Sequence, residues 1–267
     1  MTGSRRPFDD IRHALDPVPR GDHDETSPTV RLDPNRAART GVPEVILAGP
    51  KPLAEIVAAL SRQAELTGRA IASRCSDEII AALRSELEPR LQVEVHLEAH
   101  AVVVRGAGSI VSATGGRVAI ICAGTSDRPA AAEAALIARE MGVAVEEIYD
   151  VGVAGLHRLV EPLERVMAAG VDAIVVAAGM DGALPSVVAG LVLVPVIGLP
   201  TSVGYGFGGQ GIGALTAMLQ SCAPGLVVVN IDNGIGAGAA AALIANQAAG
   251  ARSSSPLEHG LDQRPGR

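Results

Sequence analysis

The sequence predicts an α/β protein in which a doubly wound parallel sheet, with helices on both faces (three-layer αβα), follows a small α/β domain. Two observations predict this fold. In residues 117–249, five short apolar segments alternate with helical segments, which is the pattern of right-handed βαβ units. The 267 residues are 48% hydrophobic and only 1% aromatic, so we expect a sizeable core built from Ala, Val, Leu and Ile.

The first part of the chain divides into two regions. Residues 1–40 carry scattered charges and several prolines, and we expect a mobile leader with one short helical pattern at residues 8–15. Residues 41–116 form the predicted small domain, which Gly-containing turns at 106–109 and 114–116 separate from the sheet. Its predicted strands are residues 44–47, 70–73, 91–97 and 101–104, and its predicted helices are residues 52–66 and 79–87.

The doubly wound domain covers residues 117–249, and the polar residues 250–267 predict a loose tail. The predicted strands are residues 118–122, 145–149, 173–177, 192–197 and 226–231, and the predicted helices are residues 129–141, 156–169, 184–191, 211–221 and 237–247. Ligands of such sheets bind beyond the carboxyl ends of the strands. We therefore expect the functional residues in one shared cleft at that edge.

The composition excludes several classes of function. The formal charge of −7 argues against nucleic acid or an anionic membrane as a partner, because both select a basic surface. Cys75, Cys122 and Cys222 are widely spaced, which fits neither a disulfide framework nor a zinc site, and we expect a reducing, cytoplasmic compartment. The first residues lack the apolar segment of a secretory signal, and prolines divide the apolar segment 183–203, so we expect no transmembrane helix.

Residues 182–231 contain no Asp, Glu, Lys or Arg. Surface helices carry charged residues opposite their apolar stripe. An uncharged segment of this length therefore has no ordinary solvated face. Burial between subunits is the simplest explanation. We therefore expect a homo-oligomer.

The turn after the first strand of the sheet consists of Gly124, Thr125, Ser126 and Asp127, and Pro129 follows in the first turn of a helix. Backbone N–H groups and two hydroxyls at a helix N-terminus favour an anion. A plain strand–helix connection in which Asp127 is the N-cap explains the same pattern. The residues alone leave both interpretations open.

Other polar residues at predicted strand ends also have two interpretations. His157 can be an exposed first-turn residue, and Asp232, close to Asn230, can simply close a turn. Asp181 can form a turn too, although a carboxylate directly after a buried strand favours a cleft. Cys222 taken alone is typical of an inert thiol, and the C-terminal side of a helix does not lower the pKa of a cysteine.

The Gly-rich segment 204–213 follows the fourth predicted strand. Its spacing is similar to G-x-G-x-x-G, but no acidic ribose partner follows about 20 residues on, so a Rossmann site is not favoured. We expect this loop to hold a ligand through its backbone.

Several segments together resemble a known family. Those that resemble the PurE fold of carboxyaminoimidazole ribonucleotide mutases are Ala-Gly-Thr-Ser-Asp at 123–127, Gly-Leu-His-Arg at 155–158, Ala-Gly-Met-Asp-Gly-Ala-Leu-Pro-Ser at 178–186 and the apolar segment 192–200. The resemblance to the LarB family is closer, and it lies in residues 39–46, 150–158, 219–225 and 229–234. The resemblance covers residues 36–247 and implies a PurE-like sheet in the second domain.

The LarB resemblance implies carboxylation of the pyridinium ring of nicotinic acid adenine dinucleotide with CO2 or bicarbonate. It also implies hydrolysis of the phosphoanhydride, which gives pyridinium-3,5-biscarboxylic acid mononucleotide and AMP, the first step of nickel-pincer cofactor synthesis. A pyridinium ring is an electrophile and does not attack CO2, so a nucleophile must first add to the ring. Cys222 is the candidate nucleophile, and Asp127 or Asp181 could then remove the ring proton.

Two sets of candidate residues follow from the strand ends and the resemblance. The candidate catalytic residues are Cys222, Asp127, Ser126, His157 and Asp181. The candidate substrate-binding residues are Gly124, Thr125, Gly155, Leu156, Arg158, Gly179, Met180, Gly206, Gly208, Gly209, Asn230 and Asp232.

The sequence departs from the family patterns at two positions. PurE enzymes have a histidine where this chain has Ala183, which argues against an aminoimidazole substrate. LarB chains usually have Glu where this chain has Asp181, and the shorter side chain moves its carboxylate by about 1 Å, a displacement that matters for catalysis. A PurE-like aminoimidazole ribonucleotide carboxylase or mutase and a non-catalytic nucleotide-binding module remain as alternatives.

Residues 118–247 contain four Arg, no Lys and eleven acidic residues. We therefore expect a pyrophosphate to be bound by backbone N–H groups together with Mg2+. The sequence shows no recognisable set of metal ligands, and we expect no organic cofactor.

Overall fold

The structure is a computed structural model that describes residues 31–88 and 90–254. A five-stranded parallel sheet and a smaller α/β domain before it confirm the predicted fold class. The helical pattern at residues 8–15 and residues 255–267 of the predicted tail lie outside the described residues.

The small domain is a four-stranded mixed sheet with helices packed against it. Its strands are Val45–Leu47 (β1), Arg69–Ser73 (β2), Gln92–His96 (β3) and Ala101–Arg105 (β4), and its helices are Arg36–Thr40 (α1), Leu53–Thr67 (α2) and Asp77–Leu87 (α3). The strand order is β1-β2-β4-β3, in which β1 and β2 are parallel and the other pairs are antiparallel. The predicted hairpin is thus the pair β3 and β4.

Part of the predicted leader is ordered against this domain. Helix α1 lies within the predicted leader, and an ion pair of 2.6 Å joins Arg39 to Asp33. The backbone N–H of Asp33 donates to the Glu44 carboxylate at 2.8 Å. The boundary expected at residue 40 therefore lies too late in the chain, because sequence composition does not reveal these polar contacts.

The second domain carries the parallel sheet. Its strands are Arg117–Cys122 (β5), Ala144–Ile148 (β6), Ala173–Ala178 (β7), Val196–Pro200 (β8) and Leu226–Val228 (β9). Its helices are Arg128–Glu140 (α4), His157–Ala168 (α5), Leu184–Ala189 (α6), Ile212–Leu219 (α7) and Gly234–Ser254 (α8). The strand order is β6-β5-β7-β8-β9 and every pair is parallel, so the winding changes direction between β5 and β7. The carboxyl ends of these two strands form the crevice where ligands bind in such sheets.

Alternation along β5 divides the core into two layers. Val118 and Ile120 are buried against α4 and α8 on one face, whereas Ile121 is buried against α5, α6 and α7 on the other. Ile71 and Val103 of the small domain belong to the first of these clusters. The small domain is therefore packed on the α4/α8 side of the sheet.

Strand β8 and helix α8 show the largest differences between predicted and observed starts. Strand β8 begins at Val196, not at residue 192, because the chain turns at Pro195, whose carbonyl accepts from the Ile174 N–H at 3.0 Å. Helix α8 begins at Gly234 and continues into residues 250–254 of the predicted tail. Its glycines disfavour a helix by propensity, but close packing on α4 leaves no room for a side chain at Gly234 and Gly238.

The packing of α8 on α4 gives a stability prediction. A Cβ on Gly238 would lie 2.2 Å from the Ala134 carbonyl oxygen, whereas one on Gly250 of the same helix would meet no atom within 4 Å. We expect Gly238→Ala to lower the free energy of unfolding by about 2 kcal/mol or more through overpacking. The control Gly250→Ala should raise it by about 0.5–1 kcal/mol through helix propensity. Chemical denaturation measures both, and equal effects of the two variants would contradict the packing described here.

The long apolar segment 183–203 forms α6, a turn and β8. None of the helices in the described part of the chain has the length and apolar character needed to cross a bilayer.

Candidate active site

Asp127 lies where three strands of the parallel sheet end. Its side chain is buried, with 4% exposure, and its Oδ1 accepts from the Thr201 hydroxyl at 2.6 Å. Its Oδ2 accepts from the Gly124 N–H at 2.9 Å, and the Gly179 N–H also donates to the carboxylate. Because Gly124, Gly179 and Thr201 follow β5, β7 and β8, one carboxylate holds the three loops of the crevice together.

This position does not match the interpretation of Asp127 as a residue whose side chain caps α4. Its side chain makes no capping hydrogen bond to α4 and instead faces back towards the strand ends. Burial raises the pKa of Asp127; the hydrogen bonds from Thr201, Gly124 and Gly179 oppose that rise, and the charge of Asp232 adds to it. A buried carboxyl group whose pKa is raised, in a crevice at a topological switch point, is typical of a functional site.

The hydrogen bond from Thr201 gives a pH-dependent prediction. A carboxyl group whose folded pKa lies above its unfolded value of about 3.9 destabilises the protein as the pH rises through the folded pKa. Thr201→Val removes the donor and raises this pKa further, so it should cost roughly 1.5–3 kcal/mol above the folded pKa and less below it. Thr216→Val is the control, since Thr216 donates to the Ile212 carbonyl on an exposed helix face. Denaturation at several pH values measures the effect, and a cost of Thr201→Val that is independent of pH would contradict the assignment.

Asp232 ties the ends of β8 and β9 together. Its Oδ1 accepts from the Ser202 N–H at 2.8 Å, and its own N–H donates to the Pro200 carbonyl at 2.9 Å. Asn230, by contrast, accepts a hydrogen bond through its side-chain oxygen from the N–H of the next residue, Ile231. Asp232 therefore belongs to the framework of the crevice, whereas Asn230 makes a local turn.

Backbone strain is concentrated at the same edge. Asp150, Met180 and Asp232 adopt left-handed conformations, with φ of 59°, 51° and 53°, directly after β6, β7 and β9 or close to them. Such conformations cost about 1–3 kcal/mol each for residues other than glycine and are found most often at functional sites.

The loop after β7 presents an open carboxylate. Gly179 has no room for a side chain, because a Cβ would lie 2.2 Å from the Val203 carbonyl oxygen. The Met180 N–H donates to that same carbonyl at 2.8 Å, and the Met180 side chain is about half exposed. Asp181 is exposed, and among the described residues its carboxylate accepts only from the Ala183 N–H, at 3.4 Å. Its carboxylate is therefore free to face a ligand.

The loops after β5 and β6 place further candidates at this edge. Thr125 and Ser126 are exposed in a 3-10 turn before α4. His157 is exposed at the first position of α5, with Gly155 and Leu156 in the turn before it. Arg158 forms an ion pair of 2.7 Å with the Asp150 carboxylate.

The Gly-rich segment 204–213 folds over the end of β7. It contains a 3-10 turn at Gly206–Gly208, which ends at Gly209. Gly208 packs against Gly213, and a Cβ on Gly213 would lie 3.2 Å from the Met180 carbonyl oxygen. The backbone of this loop is thus held next to the loop that contains Asp181.

Cys222 lies at the opposite, amino edge of the parallel sheet. It follows α7 in the loop that leads to the amino end of β9, where the Gly225 carbonyl accepts from the Val196 N–H at 3.0 Å. Within one chain the structure therefore does not bring Cys222 to the carboxyl edge, and the expectation of one shared cleft is wrong for a single subunit. The physical reason is that loops from helix to strand lie at the amino edge of a parallel sheet.

The three cysteines nevertheless differ sharply in accessibility. Cys75 and Cys122 are buried, and burial raises the pKa of each thiol to about 11. Cys222 is exposed. Cys222 is therefore the cysteine that can act as a nucleophile.

Two residues of the crevice were missed in the sequence. Glu133 of α4 is 6% exposed, accepts from the Ser73 hydroxyl, and accepts from the Ile235 N–H at 3.2 Å. Arg74 of the small domain donates to the Asp232 carbonyl at 3.1 Å. An acid flanked by alanines on both sides was a usable signal for Glu133, but Arg74 reaches the crevice only because the domains pack together.

The described residues contain no group of three or more His, Cys, Asp or Glu side chains arranged to hold a metal ion. A divalent cation at this edge would therefore take many of its ligands from a bound phosphate and from water, as Mg2+ commonly does.

Comparison with known proteins identifies both domains. Residues 24–106 match the LarB/PurE-like N-terminal domain, a match that starts inside the predicted leader, and residues 117–263 match the AIR carboxylase family. The chain is also 43% identical over 227 residues to an uncharacterized protein of Methanocaldococcus jannaschii, with 84% of this chain and 86% of the relative covered. Both domain matches support a carboxylase-type function. The chain therefore belongs to the LarB family, with a LarB-type N-terminal domain followed by a PurE-like AIR carboxylase domain.

Proposed function

We propose that this protein carboxylates the pyridinium ring of nicotinic acid adenine dinucleotide with CO2 or bicarbonate and hydrolyses the phosphoanhydride. The products are pyridinium-3,5-biscarboxylic acid mononucleotide and AMP, as the first step of nickel-pincer cofactor synthesis. The observation that carries the proposal is the exposed thiol of Cys222, in a chain whose other two thiols are buried. A pyridinium substrate needs such a nucleophile, whereas an aminoimidazole, which is already electron-rich, does not.

The proposed chemistry begins with addition of the Cys222 thiolate to the ring. The new C–S bond converts a neighbouring ring carbon into an enamine-like nucleophile, which forms a C–C bond with CO2. A base then removes the proton from that carbon, and the released electron pair restores the aromatic ring while the C–S bond breaks and the thiolate leaves. Water cleaves the phosphoanhydride and releases AMP.

We assign the base to Asp181 rather than to Asp127. Both oxygens of Asp127 already accept hydrogen bonds, and its side chain is almost completely buried. Asp181 is exposed and has a single weak hydrogen bond within the part of the chain that the structure describes. Asp127 therefore holds the loops of the crevice together and Ser126 faces the substrate, while Asp181 has the free lone pairs that proton transfer requires.

The phosphates of the substrate are assigned to the backbone of the turn at Thr125–Asp127 and of the Gly-rich segment 204–213. Arg158 contributes a cation whose charge Asp150 partly balances. We propose that Mg2+ accompanies the pyrophosphate and neutralises part of its charge.

The separation of Cys222 from the carboxyl edge leads us to propose a homo-oligomer in which another copy of the chain brings its Cys222 to the crevice. The segment that contains Cys222, residues 182–231, has no charged side chain. It also exposes large apolar side chains, namely Leu191, Leu193, Leu219 and Val227. Such a surface is typical of contact between subunits.

A charge placed on this surface should prevent assembly. Leu193 is 99% exposed, and we expect Leu193→Glu to reduce the oligomer to smaller species because a buried carboxylate at an interface is strongly unfavourable. Leu97→Glu is the matched control, since Leu97 is exposed on the small domain. Light scattering on the separated species measures the mass, and activity should fall together with assembly. A wild-type monomer that is active would overturn the proposed assembly.

The proposed reaction is tested by incubating the protein with nicotinic acid adenine dinucleotide, bicarbonate and Mg2+. Mass spectrometry should detect AMP together with a mononucleotide heavier than nicotinic acid mononucleotide by one CO2. A folded protein that binds the dinucleotide without turnover would support a nucleotide-binding module instead. Carboxylation of aminoimidazole ribonucleotide in a parallel incubation would support a PurE-like activity.

A further inference from the structure

We infer that Arg74 of the N-terminal domain is a substrate-binding residue, which takes an oxyanion of the substrate at the carboxyl edge of the parallel sheet. The inference rests on the proposed function for the identity of the substrate. It assigns the N-terminal domain a direct part in the site, in addition to its packing on α4 and α8.

Arg74 lies at the carboxyl edge of the parallel sheet. Arg74 directly follows β2, and its Nη2 donates to the Asp232 carbonyl at 3.1 Å. Asp232 in turn accepts from the Ser202 N–H at the end of β8. The guanidinium therefore lies beside the ends of β8 and β9, next to the residues that hold Asp127.

The backbone around Arg74 is fixed while its side chain is exposed. The neighbouring Ser73 and Cys75 are both buried; the Ser73 hydroxyl donates to Glu133, and the Cys75 N–H donates to the His100 carbonyl at 2.7 Å. Arg74 itself has φ of 56°, a left-handed conformation that is costly for a side chain of this size. The fold thus holds an exposed cation at this edge in a strained conformation.

Arg74 differs from the arginines of the parallel-sheet domain in its ion pairing. The four arginines of residues 118–247 all form ion pairs with acidic side chains, namely Arg128 with Glu98, Arg139 with Glu147, Arg158 with Asp150, and Arg165 with Glu146 and Glu161. Arg74 forms no ion pair with any residue that the structure describes. Burial raises the pKa of the nearby Glu133 and the charge of Arg74 opposes that rise, but the Glu133 carboxylate accepts its hydrogen bonds from Ser73, Ile235 and Gly234. Arg74 is therefore available to an incoming anion.

The guanidinium group of Arg74 has N–H donors left for a ligand. It has five N–H donors, and the bond to the Asp232 carbonyl uses one of them. The remaining donors can bind a phosphate or a carboxylate through two parallel hydrogen bonds. The proposed substrate offers both groups, a pyrophosphate and the carboxylate of the nicotinate ring.

The test is equilibrium dialysis of labelled nicotinic acid adenine dinucleotide, without bicarbonate, against the full-length wild type, Arg74→Gln, Arg74→Lys and Arg90→Gln. Arg90 is the matched control because it is an exposed arginine of the same domain. We expect Arg74→Gln to raise Kd roughly tenfold to a hundredfold through loss of charge-assisted hydrogen bonds, with a smaller rise for Arg74→Lys. Arg90→Gln should change Kd less than about twofold.

Two competitors distinguish the sources of the oxyanion. If Arg74 binds the pyrophosphate, inorganic pyrophosphate should compete with the dinucleotide in the wild type but only weakly in Arg74→Gln. If it binds the ring carboxylate, the preference of the wild type for the nicotinate over the nicotinamide dinucleotide should disappear in that variant. Either result supports the inference.

Other results overturn it. Unchanged affinity of Arg74→Gln, while the wild type binds and turns over, would remove Arg74 from the site and leave the proposed function intact. Equal losses of affinity and of thermal midpoint in Arg74→Gln and Arg74→Lys would show that Arg74 acts only by holding Asp232. A wild type that neither binds nor turns over the dinucleotide would contradict the proposed function itself.

Discussion

Cys222→Ala is expected to lower the rate of formation of the carboxylated mononucleotide by roughly 10³-fold or more, because no other accessible thiol can add to the ring. Without that addition the pyridinium remains an electrophile and cannot attack CO2. Substrate binding should be retained, since Cys222 lies outside the loops assigned to the phosphates. The measurement is initial rate by mass spectrometry together with equilibrium dialysis.

Cys75→Ala is the control for this variant. Cys75 is buried in the small domain, so its replacement should cost about 1 kcal/mol of stability and leave turnover nearly unchanged. In the native protein, iodoacetamide should label Cys222 and spare Cys75 and Cys122. Product formation by Cys222→Ala at the wild-type rate would eliminate the thiolate addition from the reaction.

Asp181→Asn is expected to reduce turnover about 10²- to 10⁴-fold, because the amide cannot accept the ring proton. The addition and carboxylation steps precede that proton transfer, so the variant should accumulate substrate covalently attached to Cys222. Intact-protein mass spectrometry detects this adduct. The double variant Asp181→Asn with Cys222→Ala should accumulate none.

Two further variants separate a base from a framework carboxylate. Asp181→Glu should remain active, since it keeps the carboxylate and restores the residue usual in the family. Asp127→Asn should raise the KM for the dinucleotide, because an amide nitrogen in place of one carboxylate oxygen meets the Gly124 N–H or alters the bond to Thr201. Accumulation of the adduct in Asp127→Asn, with normal release in Asp181→Asn, would exchange the two roles.

The sequence was most informative where apolar periodicity determines the fold. The βαβ alternation predicted all five strands of the parallel sheet, and each predicted strand overlaps the observed one. Bounds were less accurate where special backbone chemistry decides them. Proline delayed the start of β8, and glycines that suit the contact between α4 and α8 concealed the start of α8.

The strand ends were predictable for the same topological reason. The loops that contain Asp127, His157, Asp181 and Asp232 all follow strands, and the structure places them at the carboxyl edge. The position of Cys222 was predictable as well, because a residue between a helix and the next strand lies at the amino edge. The expectation of one shared cleft came from grouping Cys222 with the strand ends, although its loop leads from a helix to a strand.

Contacts between distant parts of the chain could not be predicted from local pattern. Glu133 is buried only because the end of β2 and the start of α8 close over it. Arg74 reaches Asp232 across 158 residues of sequence. Neither position has a periodicity or a motif that indicates its partner.

The central claim, that the protein adds CO2 to a pyridinium ring, is tested most directly with isotope-labelled bicarbonate. The wild type is incubated with nicotinic acid adenine dinucleotide, Mg2+ and labelled bicarbonate, and both products are analysed by mass spectrometry. We expect one labelled carbon in each molecule of mononucleotide and unlabelled AMP in equal amount. Release of AMP with unlabelled nicotinic acid mononucleotide would show a hydrolase without carboxylase activity and would contradict the account.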